Sequence, residues 1–232
     1  MAVINDPVTA ANITAVGNRP FQPLHTLSGP FPVGAGGAFR ISMTSGTIAA
    51  SLAANSELFQ FRYVTGAARV CLVHGITVSA SMIATPTAGT TPVNMQLVAK
   101  IARAWTVAGS GGTRATLTGN NQKLRTSHNT SEVNDIGMAT TAALTAGTKT
   151  FDAQNIGAVT GGIYFDLAAG DSDNQLIHQT NLLGEFSGGG GLGFPLVLAN
   201  QEGFAILSGV ALPATMTWNL VTNVLWTETD TF

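Results

Sequence analysis

The residues of this chain that could do chemistry are few, and their spacing does not assemble them. Four histidines, His25, His74, His128 and His178, stand far apart. None shows the H-x-H or H-E-x-x-H spacing that sets two imidazoles on one metal. His74, between Val73 and Gly75, reads as a strand-end or turn histidine. Asp171, Asp173 and Asn174 resemble the opening of a calcium loop. The glycine and distal Glu of that pattern are missing, so a turn is the plainer reading. Gly188 to Gly193 fits G-x-G-x-x-G, but Pro195 and a strand follow where that motif needs a helix to receive a pyrophosphate. Asp166 and Glu185 serve as an acid–base pair only if folding brings them together. Cys71 is the single cysteine and builds neither a disulfide nor a cysteine-based zinc site. Within Val70-Cys-Leu-Val73 it reads as a small core residue. No catalytic constellation, cofactor site or metal site is expected.

One basic cluster remains. Arg114, Lys123, Arg125 and His128 lie in a polar stretch from Gly109 to Asp135 and could hold an anion. No aromatic residue accompanies them, so a base-stacking platform is not indicated. A solvated loop, or a loop pairing with an acidic neighbour, fits the residues better.

The elements that must position these residues are strands. From Met216 the even positions Met216, Trp218, Leu220, Val224 and Trp226 are apolar, and Thr217, Asn219, Asn223 and Thr227 between them are polar. A period of two marks a strand with one buried face. Leu196–Leu198 and Phe204–Leu207 precede it, separated by Asn200-Gln-Glu-Gly203. The chain therefore closes on three strands, the last of them central. Glu57–Ala84 reads as two or three strands around a turn at Thr65-Gly-Ala-Ala68. Ala38–Met43, Val93–Trp105 and Val159–Leu167 read as further strands, and Leu176–Phe186 as a short strand or helix. In Val93–Trp105, Met95, Leu97, Ala99, Ile101 and Trp105 share a face, and Arg103, which breaks it, is expected near a strand end or paired. Thr47–Ala54 is the helical candidate, with Ile48 and Leu52 four apart and Ser45 or Thr47 as cap. Ile136–Ala153 shows little period.

Short strands, turn signals, no βαβ alternation and at most one short helix argue an all-β, jelly-roll-like β-sandwich over 38–232. Residues 1–37 hold five of the nine prolines and read as an extended N-terminal arm. Such an arm lies over its own domain or reaches a neighbour. The core is expected to rest on Phe59, Phe61, Leu72, Leu97, Ile101, Phe165, Trp218, Leu220 and Trp226.

Composition narrows the function classes. Charged residues are 9 % of the chain, against about 25 % typically. So few charges suit a surface covered by copies of itself or by partners, or a neutral Ser/Thr/Asn surface. The net charge of −2 divides unevenly: ten bases and four acids through Lys149 give +6, and eight acids with no base after it give −8. The halves either interleave in the fold or meet between neighbouring copies. No overall basic footprint for nucleic acid exists. No apolar run approaches the ~18 residues that span a bilayer, and no charged-then-apolar leader opens the sequence. Synthesis in a cytoplasm is expected, with neither nucleic acid nor membrane as partner.

Two stretches resemble segments of poorly characterised tailed-bacteriophage virion proteins. The first runs from Ser45 through Ile48, Leu52 and Phe59 to Arg62. The second comprises Glu202-Gly-Phe204, Ala211-Leu-Pro-Ala-Thr215 and Trp218 through Val224-Leu-Trp226-Thr-Glu228. Thr85 to Gly193 carries no such likeness. The resemblance implies a non-enzymatic particle component: a capsid decoration or cement protein, or a neck or tail component. A receptor- or glycan-binding fibre module is a further alternative. The location implied is the virion, after synthesis in a host cytoplasm. Partners are copies of itself, a trimer being natural for shell jelly rolls, and major capsid or other virion proteins. Interface residues expected on this reading are Phe21, Leu24 and Phe31 in the arm and Arg114, Lys123 and Arg125 in the middle loops.

Overall fold

The computed structural model describes residues 3–5, 12–14, 37–49, 51–66, 68–84, 93–163, 175–183, 195–212 and 216–230. The chain divides into Met1–Pro32 and Val33–Phe232. In the first unit β1 (Val3–Asn5) pairs antiparallel with β2 (Asn12–Thr14). Phe21, Leu24 and Phe31 lie outside the described residues.

The second unit is an all-β sandwich with no helix among its described residues. Its strands are β3 (Gly37–Thr44), β4 (Glu57–Tyr63), β5 (Arg69–Ala84), β6 (Val93–Val107), β7 (Thr113–Arg114), β8 (Val133–Met138), β9 (Thr148–Phe151), β10 (Gly157–Ile163), β11 (Gln175–Asn181), β12 (Leu196–Leu198), β13 (Glu202–Ser208) and β14 (Thr217–Asp230). One sheet runs β11-β5-β14-β3, with β12 also on β5. The other runs β10-β6-β13-β4-β8-β7, with β9 also on β6. Every pairing in both sheets is antiparallel.

β14 holds the five-stranded sheet together, as its period of two predicts. Met216, Trp218, Leu220, Val224 and Trp226 are all buried. Its backbone pairs with β5 over Thr217–Asp230 and with β3 over Val221–Glu228. Aromatic rings join the two sheets. Trp226 stacks on Phe39 at 5.4 Å and meets Phe61 edge-on at 5.2 Å, and Phe61 stacks on Phe204 at 5.0 Å. Such pairs add about 0.5–1.5 kcal/mol each beyond the area they bury.

Several expectations are corrected. Thr47–Ala54 is extended where described, not helical. Ile48 exchanges both backbone hydrogen bonds with Trp218, and Leu52 does the same with Leu212. A spacing of four keeps two side chains in phase in a helix and in an extended chain alike, and here pairing with Leu212 and with Trp218 of β14 won. Leu72 leaves the core: Cys71 and Val73 point inward, so the pleat turns Leu72 to the outer face. His74 is no strand end, because β5 runs unbroken through it, with a bulge opposite Leu225 and Trp226. Trp105 is buried but does not join the central cluster with Met95, Leu97 and Ala99. Ala104 takes φ +48° and the β6–β9 ladder slips between Arg103 and Val107. That bulge breaks the alternation and lays Trp105 against Gly203, where a Cβ would stand 2.9 Å from its ring.

Phe59, Phe61, Leu97, Ile101, Trp218, Leu220 and Trp226 are buried as expected, and Phe165 lies outside the described residues. Leu176–Phe186, where described, takes part in the strand β11, and the weakly periodic Ile136–Ala153 takes in the end of β8 and all of β9.

Candidate interaction surface

The two sheets present different outer faces. On the seven-stranded sheet β4 is buried along its whole length, so its outward residues Glu57, Gln60 and Arg62 lie inside the protein. Burying them demands partners for every donor and acceptor. Glu57 Oε2 accepts from Lys149 Nζ and Gln60 Nε2, each at 2.6 Å. Gln60 Oε1 accepts from Arg114 Nη1 at 3.2 Å, and the same nitrogen donates to Asp135 Oδ2 at 2.9 Å. Arg62 donates to the carbonyls of Trp105 and Thr106 and to Asn134 Oδ1, all at 2.9 Å. Lys149 Nζ sits 4.1 Å from the centre of the Trp105 ring and 5.1 Å from that of Phe151. Burial pushes the Lys149 ammonium below its usual range, opposed by Glu57. It pushes the Asp135 carboxyl up, opposed by Arg114 and Arg62. The network clamps β9, β7 and β8 onto the sheet. Arg114, read from the sequence as an interface residue, is engaged in this network.

A second buried carboxylate stands on the core side of β14. Glu228 is 1 % exposed. It accepts from Ser131 Oγ at 2.5 Å, from the Glu132 amide at 2.9 and 3.0 Å, and from Trp226 Nε1 at 3.3 Å. Burial still raises its pKa. Burial, and then the nearby Glu228 charge, push the Cys71 thiol well up. Tyr63 is raised by burial first and by Glu228 second. A thiol so buried and so weakly acidic is no nucleophile, in keeping with the core reading of Cys71.

The outer face of the five-stranded sheet is open and almost uncharged. Its exposed or half-buried side chains include Ser42, Leu72, Thr77, Ser79, Asn219, Val221, Asn223 and Leu225. Asn223 Nδ2 donates to Thr77 Oγ1 at 3.2 Å, and His74 Nε2 contacts Thr227 Oγ1 at 2.8 Å. A groove of about 300 Å³ crosses this face, lined by Arg40, Thr77, Leu124, Gln179, Asn223 and Leu225, with Gly75 and Val224 at its floor.

Residues 122–124 run beside β3 and cover its edge. Arg40 N–H donates to Gln122 O at 2.9 Å, and Leu124 N–H donates to Ala38 O at 3.0 Å. Lys123 stands opposite Phe39, and Arg125 is exposed just beyond. The fold thus places Arg114 in the network on the seven-stranded sheet and Lys123 and Arg125 beside β3, where Lys123, opposite the inward-facing Phe39, lies on the other pleat from Arg40. His128 turns inward and accepts the Ala38 amide on Nδ1 at 3.1 Å. Arg40, Gly75, Leu124 and Leu225 were missed as surface candidates. Only the alternation of β3 and β14, which turns Arg40 and Leu225 outward, could have signalled them.

Among the described residues no group of three or more His, Cys, Asp or Glu side chains converges on a metal position. Asp166, Asp171, Asp173, Glu185, His25 and the glycines 188–191 and 193 lie outside those residues. No helix among the described residues is long and apolar enough to cross a membrane. Compared with family models, curated proteins and solved structures, the chain matches none.

Proposed function

We propose that this is a non-enzymatic structural protein of a tailed-bacteriophage virion, a decoration or cement protein that bridges neighbouring capsid subunits, and that its sandwich is a jelly roll. The strand order supports the jelly roll. In chain order β3, β4, β5 and β6 alternate between sheets, and β10, β11, β13 and β14 alternate again. One sheet then reads β3-β14-β5-β11 and the other contains β4-β13-β6-β10, the arrangement of two interlocked Greek keys.

The observation that carries the functional reading is the broad outer face of the five-stranded sheet. It is nearly free of charge, yet it leaves Leu225, Val197 and Ile83 between 39 and 53 % exposed. Such a face suits a protein whose surface is covered in its assembly. The likeness of Ser45–Arg62 and Glu202–Glu228 to virion proteins points the same way. In this role the protein works mechanically. It buries apolar area at contacts between neighbours, and several weak contacts act together by avidity.

The test is a titration of purified chain onto capsids that lack it. Saturation at a regular stoichiometry, with a higher temperature for release of the packaged genome, is the expected result. A monomer that ignores capsids and binds saccharide would replace this reading with a fibre receptor module. Removal of Met1–Gly37 is expected to weaken attachment; unchanged attachment would show that the arm does no bridging.

A further inference from the structure

The geometry points to a covalent bond that the folded chain makes within itself: an amide between Lys149 Nζ and the Gln60 side chain, formed with Glu57 as the proton carrier and with loss of ammonia. It is a single intramolecular event, so it adds no turnover to a protein read as non-enzymatic, and it holds whether or not the chain sits on a shell.

Three side chains from two strands meet where water is shut out. Gln60 is fully buried, and the Lys149 and Glu57 side chains are 2 % and 6 % exposed. The amine and the amide share one carboxylate oxygen. Lys149 Nζ and Gln60 Nε2 each donate to Glu57 Oε2 at 2.6 Å, so the two nitrogens lie at most about 5 Å apart. The turn before β9 holds both. Thr145 O accepts from Gln60 Nε2 at 2.7 Å, and Ala146 O accepts from Lys149 Nζ. Reacting atoms need an approach of about 3–3.5 Å. Rotation about the long lysine side chain, giving up Ala146 O, supplies the remaining shift.

Each atom of the Gln60 amide already meets the group that acyl transfer asks of it. Oε1, where negative charge gathers when an amine adds to the carbon, accepts from the Arg114 guanidinium at 3.2 Å. Nε2, the leaving nitrogen, touches the carboxylate that can hand it a proton. Gly109 presses its backbone on the same amide: a Cβ there would collide with Gln60 Oε1 and Nε2 and with the Thr145 carbonyl. Glycine at this position therefore lets the chain close over the amide and exclude water, the competing nucleophile. The Trp105 ring, 4.1 Å from Nζ, adds an apolar wall. Burial lowers the Lys149 pKa and so favours the neutral amine; Glu57 opposes this, Arg114 adds to it and Asp135 opposes it.

The reaction balances with these groups alone. Glu57 takes a proton from the Lys149 ammonium, and the freed lone pair adds to Gln60 Cδ. Negative charge forms on Oε1 beside Arg114. The tetrahedral carbon expels Nε2, which receives the Glu57 proton, and the surplus proton on Nζ follows it through Glu57. One bond from Cδ to nitrogen forms as another breaks. An ammonium and a primary amide become a secondary amide and an ammonium ion, with no oxidant or other reactant, and Glu57 ends as it began. Freshly folded chain holds the ion pair, and the linked form accumulates from it. The bond ties β9 to β4, two strands that no ladder pairs.

The intact mass of the full chain reads the reaction directly. Wild type, incubated for days at about pH 9, is expected to become lighter than its sequence mass by one ammonia. Trypsin should then leave a branched peptide joining Ile41–Arg62 to the chain from Thr126 onward, because a linked Lys149 is no longer cleaved and no Lys or Arg follows it. Lys149→Arg, which keeps the charge, and Gln60→Met should stay at their sequence masses. Glu57→Ala keeps both reacting groups and should link at least about a hundredfold more slowly. A wild type that keeps its sequence mass overturns the bond, and that result needs no variant to fold. Loss of one water instead would place the bond on Glu57 and overturn the assignment of Gln60. Loss of ammonia that maps elsewhere, as when an asparagine cyclises, overturns it too. An undiminished rate in Glu57→Ala would overturn the part given to the carboxylate. Capsid attachment is read in a separate titration, so the shell-component reading stands or falls apart from these masses.

Discussion

Replacing Lys149 by Met tests the reasoning about the outer face of the seven-stranded sheet most sharply. The Lys149 and Glu57 side chains are 2 % and 6 % exposed and meet at 2.6 Å. Methionine keeps much of the side-chain volume between Trp105 and Phe151 and removes the charge. Glu57 then keeps only its hydrogen bond from Gln60. A buried carboxylate stripped of its cation costs about 3–5 kcal/mol. Loss of the cation–π contacts adds about 1 kcal/mol. For a cooperative unit of about 200 residues, a loss near 5 kcal/mol lowers the melting temperature by roughly 10–20 °C. Glu57→Gln with Lys149→Met removes both charges and should recover most of the loss, because a buried pair as a whole returns little beyond its desolvation. The assay is urea unfolding of wild type, both single variants and the double variant, analysed as a cycle. A single-variant loss below about 1 kcal/mol would refute the claim that this pair is sealed from water.

Four further outcomes are expected. Glu228→Gln should change the pH dependence of stability. The folded pKa of Glu228 is raised from 4.5, so the protonated group favours the fold, and that contribution fades as pH rises through the folded pKa. Relative to wild type the variant should therefore gain stability from pH 4.5 upward, read as urea midpoints across pH; a relative loss would reverse the sign and sink the argument. Gly203→Ala should destabilise by about 1–3 kcal/mol by overpacking, since its Cβ would stand 2.1 Å from the Phe61 carbonyl oxygen. Gly75→Ala in the same unfolding assay should be neutral or stabilising. Cys71 should resist a thiol reagent in the native protein and label at the rate of opening; labelling as fast as a free thiol would place it outside the core.

The sequence disclosed the strands whose alternation has a single cause. β14 reads correctly because one face packs on the opposite sheet and the other is open. β4 is less transparent: Gln60 and Arg62 look solvent-facing, yet loops far along the chain bury them. The same long-range folding explains Arg114, whose partners Asp135 and Gln60 no local pattern links. Trp105 was misplaced because a single left-handed residue, Ala104, resets the pleat, and alanine carries no signal for that. Thr47–Ala54 misled because a spacing of four is shared by both periodicities. At the candidate surface, Lys123 and Arg125 were legible as charges. Their place beside β3 depends on residues 122–124 covering its edge, which no spacing foretells.

The position of β14 between β3 and β5 has a consequence for how the protein is made. Both neighbours leave the ribosome long before their shared partner. At about 5–20 residues per second, translation from Ala84 to Thr217 takes on the order of ten seconds. Until then β3 and β5 lack their common ladder, and the inward faces of Phe39, Ile76 and Val78 have no lid. Closure must then span most of the chain, a slow kind of step. Nascent-chain handling, rather than the finished fold, is where this protein is most exposed to aggregation. Its yield in cells should therefore respond more to chaperone supply and to slower synthesis than to additions to its native stability.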